Sequence, residues 1–272
     1  MNMDAIIDRI AIRSSTKEEV GDYRKDGLLY CGRCKTPKQC RLEIGGKIRV
    51  VGCMCDCQSR NYDAEERAEK ARQDRIRVRQ LRSEGIQDRQ LERCVFEAAE
   101  ETENIRRCKQ YVKHWEEVRK ENAGLLFYGE PDGGKTFAAA CIANALIERG
   151  VSVMLTSLPR IINAGGDKSE IISQLHRYTM MVLDDLGVER ESGYAMETVY
   201  TVVDERKKSG LPLIVTTNLS LQELKNPKTT DHRRIYSRVL EMCVPVYFPG
   251  KGYRKKAAAH KLSLAREIFG GT

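Results

Sequence analysis

The sequence predicts an α/β fold built on a parallel sheet, preceded by a small cysteine-rich module and a highly charged helix. Three observations carry that prediction. Strand-like and helix-like runs alternate from Leu125 to Phe248, the pattern of parallel strands joined by crossover helices. The first of these strands, LLFY, runs into Gly129-Glu130-Pro131-Asp132-Gly133-Gly134-Lys135-Thr136, which fits G-x-x-x-x-G-K-[ST]. Six of the ten cysteines fall between Cys31 and Cys57.

With 272 residues, 41% of them hydrophobic, the chain can bury a sizeable core in one large or two smaller domains. Basic residues outnumber acidic ones by 47 to 39, a net +8 that permits a polyanionic partner without requiring one. No stretch approaches the roughly 18 apolar residues of a membrane span, and MNMDAIIDRIAIRSS lacks the apolar core of a signal peptide. The expectation is a cytoplasmic protein with no membrane partner. In a long chain without an export signal, so many cysteines point to metal ligands or free thiols rather than disulfides.

Within residues 1 to about 27, Ile6, Ile7, Ile10 and Ile12 suggest a short packing helix, and the polar stretch after them a loop. Cys31 and Cys34 then form C-x-x-C, a turn that presents two thiolates to one ion. The alternating RLEIGGKIRVV returns the chain as a hairpin to Cys53, Cys55 and Cys57. Zn²⁺ takes four such sulfurs, drawn from these five, with Cys40 in reserve, and a segment too small for its own core would gain its stability from the ion. A redox dithiol and an iron–sulfur site are the competing readings. Residues 58 to about 93 are rich in charges of mixed sign and read as a solvated helix stopped at Gly85. One further helix is expected before Gly124, with Tyr111, Val112, Trp115 and Val118 on its buried face.

The glycine-rich loop is the centre of the chemistry. Glycines let backbone N–H groups converge on a triphosphate, and the helix that follows, FAAACIANALIERG, aims its positive end at the same place. Lys135 reaches the β- and γ-phosphates and Thr136 holds Mg²⁺. After VSVMLTSL and a helix from about 159 to 178, the apolar run Met180–Leu183 closes on Asp184 and Asp185, at the strand end where ligands of parallel sheets bind. One carboxylate beside Mg²⁺ and a second to orient water is what nucleotide hydrolysis needs. A helix from about Tyr194 to Lys208 leads to LPLIVTTN, where Asn218 is placed either to read a γ-phosphate or to cap the next helix. RRIYSRVLEMC, VPVYF and a basic helical tail complete the chain.

Taken in this order, LLFYGEPDGGKT, MMVLDDLG, LIVTTNL and RRIYSRVLE resemble the DnaC/DnaI-type replicative helicase loaders of the AAA+ ATPases and, next to them, the IstB-like transposition helpers. The resemblance spans about residues 81 to 258. It implies a sheet of five parallel strands, ATP bound between self-associating protomers, and use of ATP to place a hexameric helicase on single-stranded DNA. It further implies that Gly129 to Thr136 and Phe137 bind ATP, that Asp184 holds Mg²⁺ and that Asp185 is the catalytic acid. Asn218 takes the sensor position, Arg238 that of a finger reaching a neighbouring protomer, and Arg254 that of a second sensor on its own subunit. The domain organisation expected is a zinc module in 1–57, a charged helix and linker in 58–93, and the AAA+ domain in 94–272.

The chain departs from the family at Asp132 and Gly133, where Gly followed by Thr or Ser is usual. Asp tolerates a positive φ better than most residues. A carboxylate beside phosphates is also repelled by them, so the expectation is that Asp132→Gly tightens ATP binding.

Overall fold

The structure, a computed structural model of the chain, describes residues 17–44, 46–163, 175–188 and 192–270. The chain forms two compact units, Met1–Arg75 and Ile76–Thr272.

In the first unit, β1 (Tyr23–Lys25) and β2 (Leu28–Tyr30) pair antiparallel across Asp26-Gly27, both at positive φ. An Asp-Gly pair is the favoured two-residue hairpin turn, so the signal for β1 stood in the sequence although that region read as a loop. The helix expected over Ile6–Ile12 lies outside the described residues. Strands β3 (Gln39–Ile44) and β4 (Lys47–Gly52) form the second hairpin, as the alternation predicts. The fully buried Lys38 ammonium meets Asp22 at 2.6 Å and Glu19 at 3.1 Å. Asp22 also accepts the Gly32 N–H at 2.9 Å, and with Lys38 as the main cause its carboxyl is lowered to about 2.

Helix α1 (Asp56–Gly85) is nearly all exposed, as its charge pattern requires, and contributes to both units. It stops where Gly85 meets β6 (Val153–Ser157): a Cβ there would lie 1.9 Å from the Val153 carbonyl oxygen. Ile86 then makes a parallel bridge to Leu155, extending that edge of the sheet.

The second unit is a five-stranded parallel sheet in the order β6-β7-β8-β5-β9, formed with β5 (Gly124–Gly129), β7 (Met180–Leu186), β8 (Leu213–Thr217) and β9 (Cys243–Phe248). Successive residues of a strand face opposite sides, so Leu126 and Phe127 enter different cores. Phe127 packs with Trp115, Ile142 and Leu146 beneath α2 (Glu103–Lys113), α3 (Trp115–Lys120) and α4 (Lys135–Glu148). Leu126 packs with Val199, Val203, Ile235 and Val239 beneath α6 (Gly193–Ser209) and α8 (Thr230–Met242). Shorter helices α5 (Leu158–Asn163) and α7 (Leu221–Lys225) follow β6 and β8, and α9 (Tyr253–Phe269) ends the chain. One expectation changes and one is described only in part. The single helix ahead of Gly124 is broken at His114 (φ −97°, ψ 31°), where Trp115 turns into the core. The helix after β6 is described only as α5, because residues 164–174 lie outside the described residues.

Candidate functional site

Strand β5, between β8 and β9, delivers the chain to the carboxyl edge of the sheet, and the backbone then turns through positive φ at Gly129 (125°), Asp132 (62°) and Gly134 (85°). At Gly129 glycine is required twice over, since a Cβ would also lie 2.4 Å from the Phe248 carbonyl oxygen. Gly134 opens α4 with no side-chain cap, leaving the first-turn N–H groups to face the loop. The Lys135 ammonium is folded back onto the loop, donating to the carbonyl oxygens of Gly129 at 3.0 Å and Glu130 at 2.7 Å. Burial lowers its pKa, against the pull of Asp185 and Asp184.

Behind the loop, Asp184 Oδ1 accepts from Thr136 Oγ1 at 2.9 Å and from Thr216 Oγ1 at 2.6 Å. Burial raises the Asp184 carboxyl above its ordinary range, and the Thr216 bond works the other way. A hydroxyl and a buried carboxylate in contact form a hard oxygen pair suited to Mg²⁺. Thr216 Oγ1 also accepts the Asp185 N–H at 3.0 Å, which fixes Asp185 at a φ of 61°. No local pattern in the sequence marks Thr216 for this part; it follows from the pairing of β7 with β8.

A cleft of about 360 Å³ gathers the predicted residues: Pro131 to Phe137, Asp185, Asn218 and Arg254 all line it, with Gln90, Leu91, Cys94 and Tyr253 closing its other walls. Gly129 and Glu130 stand outside the lining and act through the carbonyls that hold Lys135. A second, apolar cavity of about 460 Å³ opens across Gly133, Gly134 and Phe137, between Tyr247, Pro249 and Tyr253. Arg238 is not at the cleft. It sits on α8, where its guanidinium bonds Asp204 Oδ1 at 2.8 Å and the Tyr200 hydroxyl at 2.7 Å and covers the Tyr200 ring at 4.5 Å.

Asp132 does not aim at the cleft alone. Its Oδ1 accepts the Arg254 N–H in the first turn of α9 at 2.6 Å. The left-handed conformation costs an ordinary residue ~1–2 kcal/mol, less for Asp, and a side-chain cap on a helix returns ~1 kcal/mol. The two roughly offset.

In the first unit, the thiols of Cys31, Cys34, Cys55 and Cys57 lie within 4.8 Å of one another. Cys53, one of the five candidates, falls outside this group: it follows the end of β4 with its Sγ 3.5 Å from the Pro37 carbonyl oxygen. Tetrahedral Zn²⁺ with bonds of ~2.3 Å holds its sulfurs ~3.8 Å apart, and Cys31–Cys57 at 3.5 Å and Cys55–Cys57 at 3.3 Å are close to that. The Thr36 hydroxyl, chiefly, lowers Cys34 to about 5, while Cys55 and Cys31 push Cys57 up to about 12. Four thiols this close ionise together only around a cation, so the donor set fits a structural Zn²⁺.

A parallel sheet in this order, a phosphate loop after β5 and paired acids at the end of β7, with β8 between the two strands, define an ATP-binding domain of the AAA+ class. The chain belongs to the family of IstB-like ATP binding proteins, whose model matches residues 63–261. It is similar to the replicative helicase loader DnaC of Escherichia coli (strain K12), 30% identical over 128 residues that cover 44% of this chain and 51% of that protein. It is also similar to the replicative helicase loader DnaI of Bacillus subtilis (strain 168), 29% identical over 160 residues that cover 53% of this chain and 51% of that protein. The chain thus spans about half the length of the curated relatives it matches. A crystal structure of DnaI shares the fold, with a TM-score of 0.52 at 22% identity over 60% of this chain and 95% of that one. Among the described residues no helix is long and apolar enough to cross a membrane.

Proposed function

We propose that the chain is an ATP-hydrolysing helicase loader that places a hexameric replicative helicase on single-stranded DNA. The convergence of Lys135, Thr136, Asp185 and Asn218 on one cleft, with Asp184 bonded behind Thr136, carries this reading. Gly129 to Thr136 and Phe137 bind the triphosphate, and Lys135 exchanges the carbonyls of Gly129 and Glu130 for phosphate oxygens. Thr136 and Asp184 would hold Mg²⁺, which would neutralise phosphate charge. Asp185 orients the attacking water, Asn218 donates its amide to the γ-phosphate, and Arg254 meets the phosphates of its own subunit. Arg238, outside that cleft, serves a neighbouring protomer's site, so turnover needs self-association.

The loader role rests on the similarity to DnaC and DnaI. In this reading residues 1–57 are a docking module around Zn²⁺ held by Cys31, Cys34, Cys55 and Cys57, 58–93 a connecting helix, and 94–272 the motor, working in the cytoplasm. Contact with single-stranded DNA would be phosphate-led and weaken with salt. The test is co-purification of the full chain with a replicative helicase, with and without ATP, beside ATPase assays with and without single-stranded DNA. Helicase binding and DNA-stimulated turnover are expected. ATP-dependent filaments on duplex DNA without helicase binding would instead indicate a transposition helper. Arg238→Ala should abolish turnover and regain part of it when mixed with Asp185→Asn; no rescue would mean that sites are not shared.

A further inference from the structure

Helix α9 begins at Tyr253 after Gly252, which brings no side chain to accept from the first turn. The missing acceptor comes from 122 residues away: Asp132, at the apex of the phosphate loop, takes the Arg254 N–H at 2.6 Å. The same residue's carbonyl oxygen accepts the Lys251 N–H at 3.4 Å, so backbone and side chain both engage the segment that leads into α9. The surroundings leave little slack. A Cβ on Gly133 would lie 2.8 Å from the Pro249 carbonyl oxygen, and one on Gly250 would lie 2.5 Å from a Glu130 carboxylate oxygen. Asp132 and Arg254 face the same cleft.

We propose that Asp132 is a positioning residue whose carboxylate ties the phosphate loop to the first turn of α9 and so holds Arg254 over the bound nucleotide. This rests on the reading of Arg254 as a nucleotide contact. Its consequence is coupling: phosphates that reshape the loop apex also move α9, and a shift of α9 is felt at the loop. It also reverses the sign expected from charge alone. If repulsion of phosphate dominated, removing the carboxylate would tighten ATP binding. If the tie dominates, removing it loosens α9 and weakens ATP binding.

Two substitutions separate these effects. Asp132→Gly suits a φ of 62° and removes only the side chain, so it deletes the tie without straining the loop. Asp132→Asn keeps an acceptor oxygen and loses the charge. Amide hydrogen exchange across Tyr253 to Ala257 in the nucleotide-free full chain reads the tie directly, and calorimetric titration with Mg-ATP reads its effect on binding. The tie predicts exchange about tenfold faster in Asp132→Gly, in line with loss of one helix cap, and ATP binding weakened about three- to tenfold. Adding Arg254→Ala to Asp132→Gly should weaken binding no further than Arg254→Ala alone. Asp132→Asn should stay within about twofold of the parent in both measurements. Unchanged exchange in Asp132→Gly, or tighter ATP binding by both variants, would overturn the proposal. If Arg254→Ala alone leaves ATP affinity unaltered, the nucleotide role of Arg254 fails; the exchange result still decides whether the tie exists.

Discussion

The two units are ordered by different means. In the ATP-binding unit Phe127, Ile142 and Leu146 pack on one face of the sheet and Leu126, Val199 and Val203 on the other, all essentially without exposure. The cysteine-rich unit buries few large apolar side chains among its described residues, chiefly Leu29. Its interior holds Cys31, Cys55 and the Lys38–Asp22 ion pair instead. One unit distributes its stability over many apolar contacts, and the other concentrates it in a four-thiol site and one charge pair. A concentrated arrangement is the more breakable.

The largest expected effect follows from that. If the four thiols hold the proposed Zn²⁺, chelation or Cys34→Ser should abolish protected structure in residues 17–57, because removing a ligand removes the ion that offsets four crowded thiols. Hydrogen exchange by mass spectrometry on the full chain would show it, with β5 to β9 unaffected. Retained protection in 17–57 after complete metal removal would erase the contrast.

A single substitution in the larger unit should cost far less. Gly85→Ala forces a Cβ against the Val153 carbonyl oxygen, and the helix end or the edge strand must shift, at ~1–3 kcal/mol. Denaturant unfolding should register that loss while ATP affinity holds, because Ser157, not Val153, is the end of β6 beside Asp184. Loss of nucleotide binding in this variant would mean the edge strand is less independent of the site than its register implies.

Asp184→Asn should have a still smaller effect on stability, with the opposite sign. Both hydroxyls donate to Oδ1, which asparagine keeps, while the charge that burial penalises is gone. Unfolding at pH 7.5 should show equal or higher stability, by up to ~1 kcal/mol, and Mg-ATP should no longer raise the melting temperature. The carboxyl's folded pKa is raised, so its penalty is present above that pKa and relieved as pH falls through it; the gain from asparagine should shrink in acid. A destabilised variant would show that the ionised form is already compensated without metal.

The same contrast sets how much could be read in the sequence. The sheet, its crossover helices and the acids at the end of β7 follow from local runs of residue type, because a large apolar core rewards periodic patterns. Arg238 and Asn218 are singled out by their place in ordered motifs. Thr216 beneath Asp184 and the Asp132 bond to α9 depend on which distant strands and helices become neighbours, and no local pattern encodes that. In the small unit, five cysteines were compatible with one ion by spacing alone. Only the direction in which Cys53 leaves β4 excludes it.

The smallest effect asks which of its two devices the small unit relies on. Asp22 has its folded pKa lowered to about 2 from an ordinary 3.8, so its contribution is present above 3.8 and is lost as pH falls towards 2. The proposed Zn²⁺ would be lost earlier. Protons would compete with it for four thiolates, so affinity would fall by up to ~10⁴ per pH unit and the ion would leave well above the range in which Asp22 titrates. If the metal dominates, residues 17–57 lose their exchange protection above that range, and Asp22→Asn moves the midpoint little. If the ion pair dominates, protection persists to between pH 4 and 2, and Asp22→Asn removes it at neutral pH with metal still bound. The first outcome is expected, because one ion fixes four points of the chain and the Lys38–Asp22 pair fixes two.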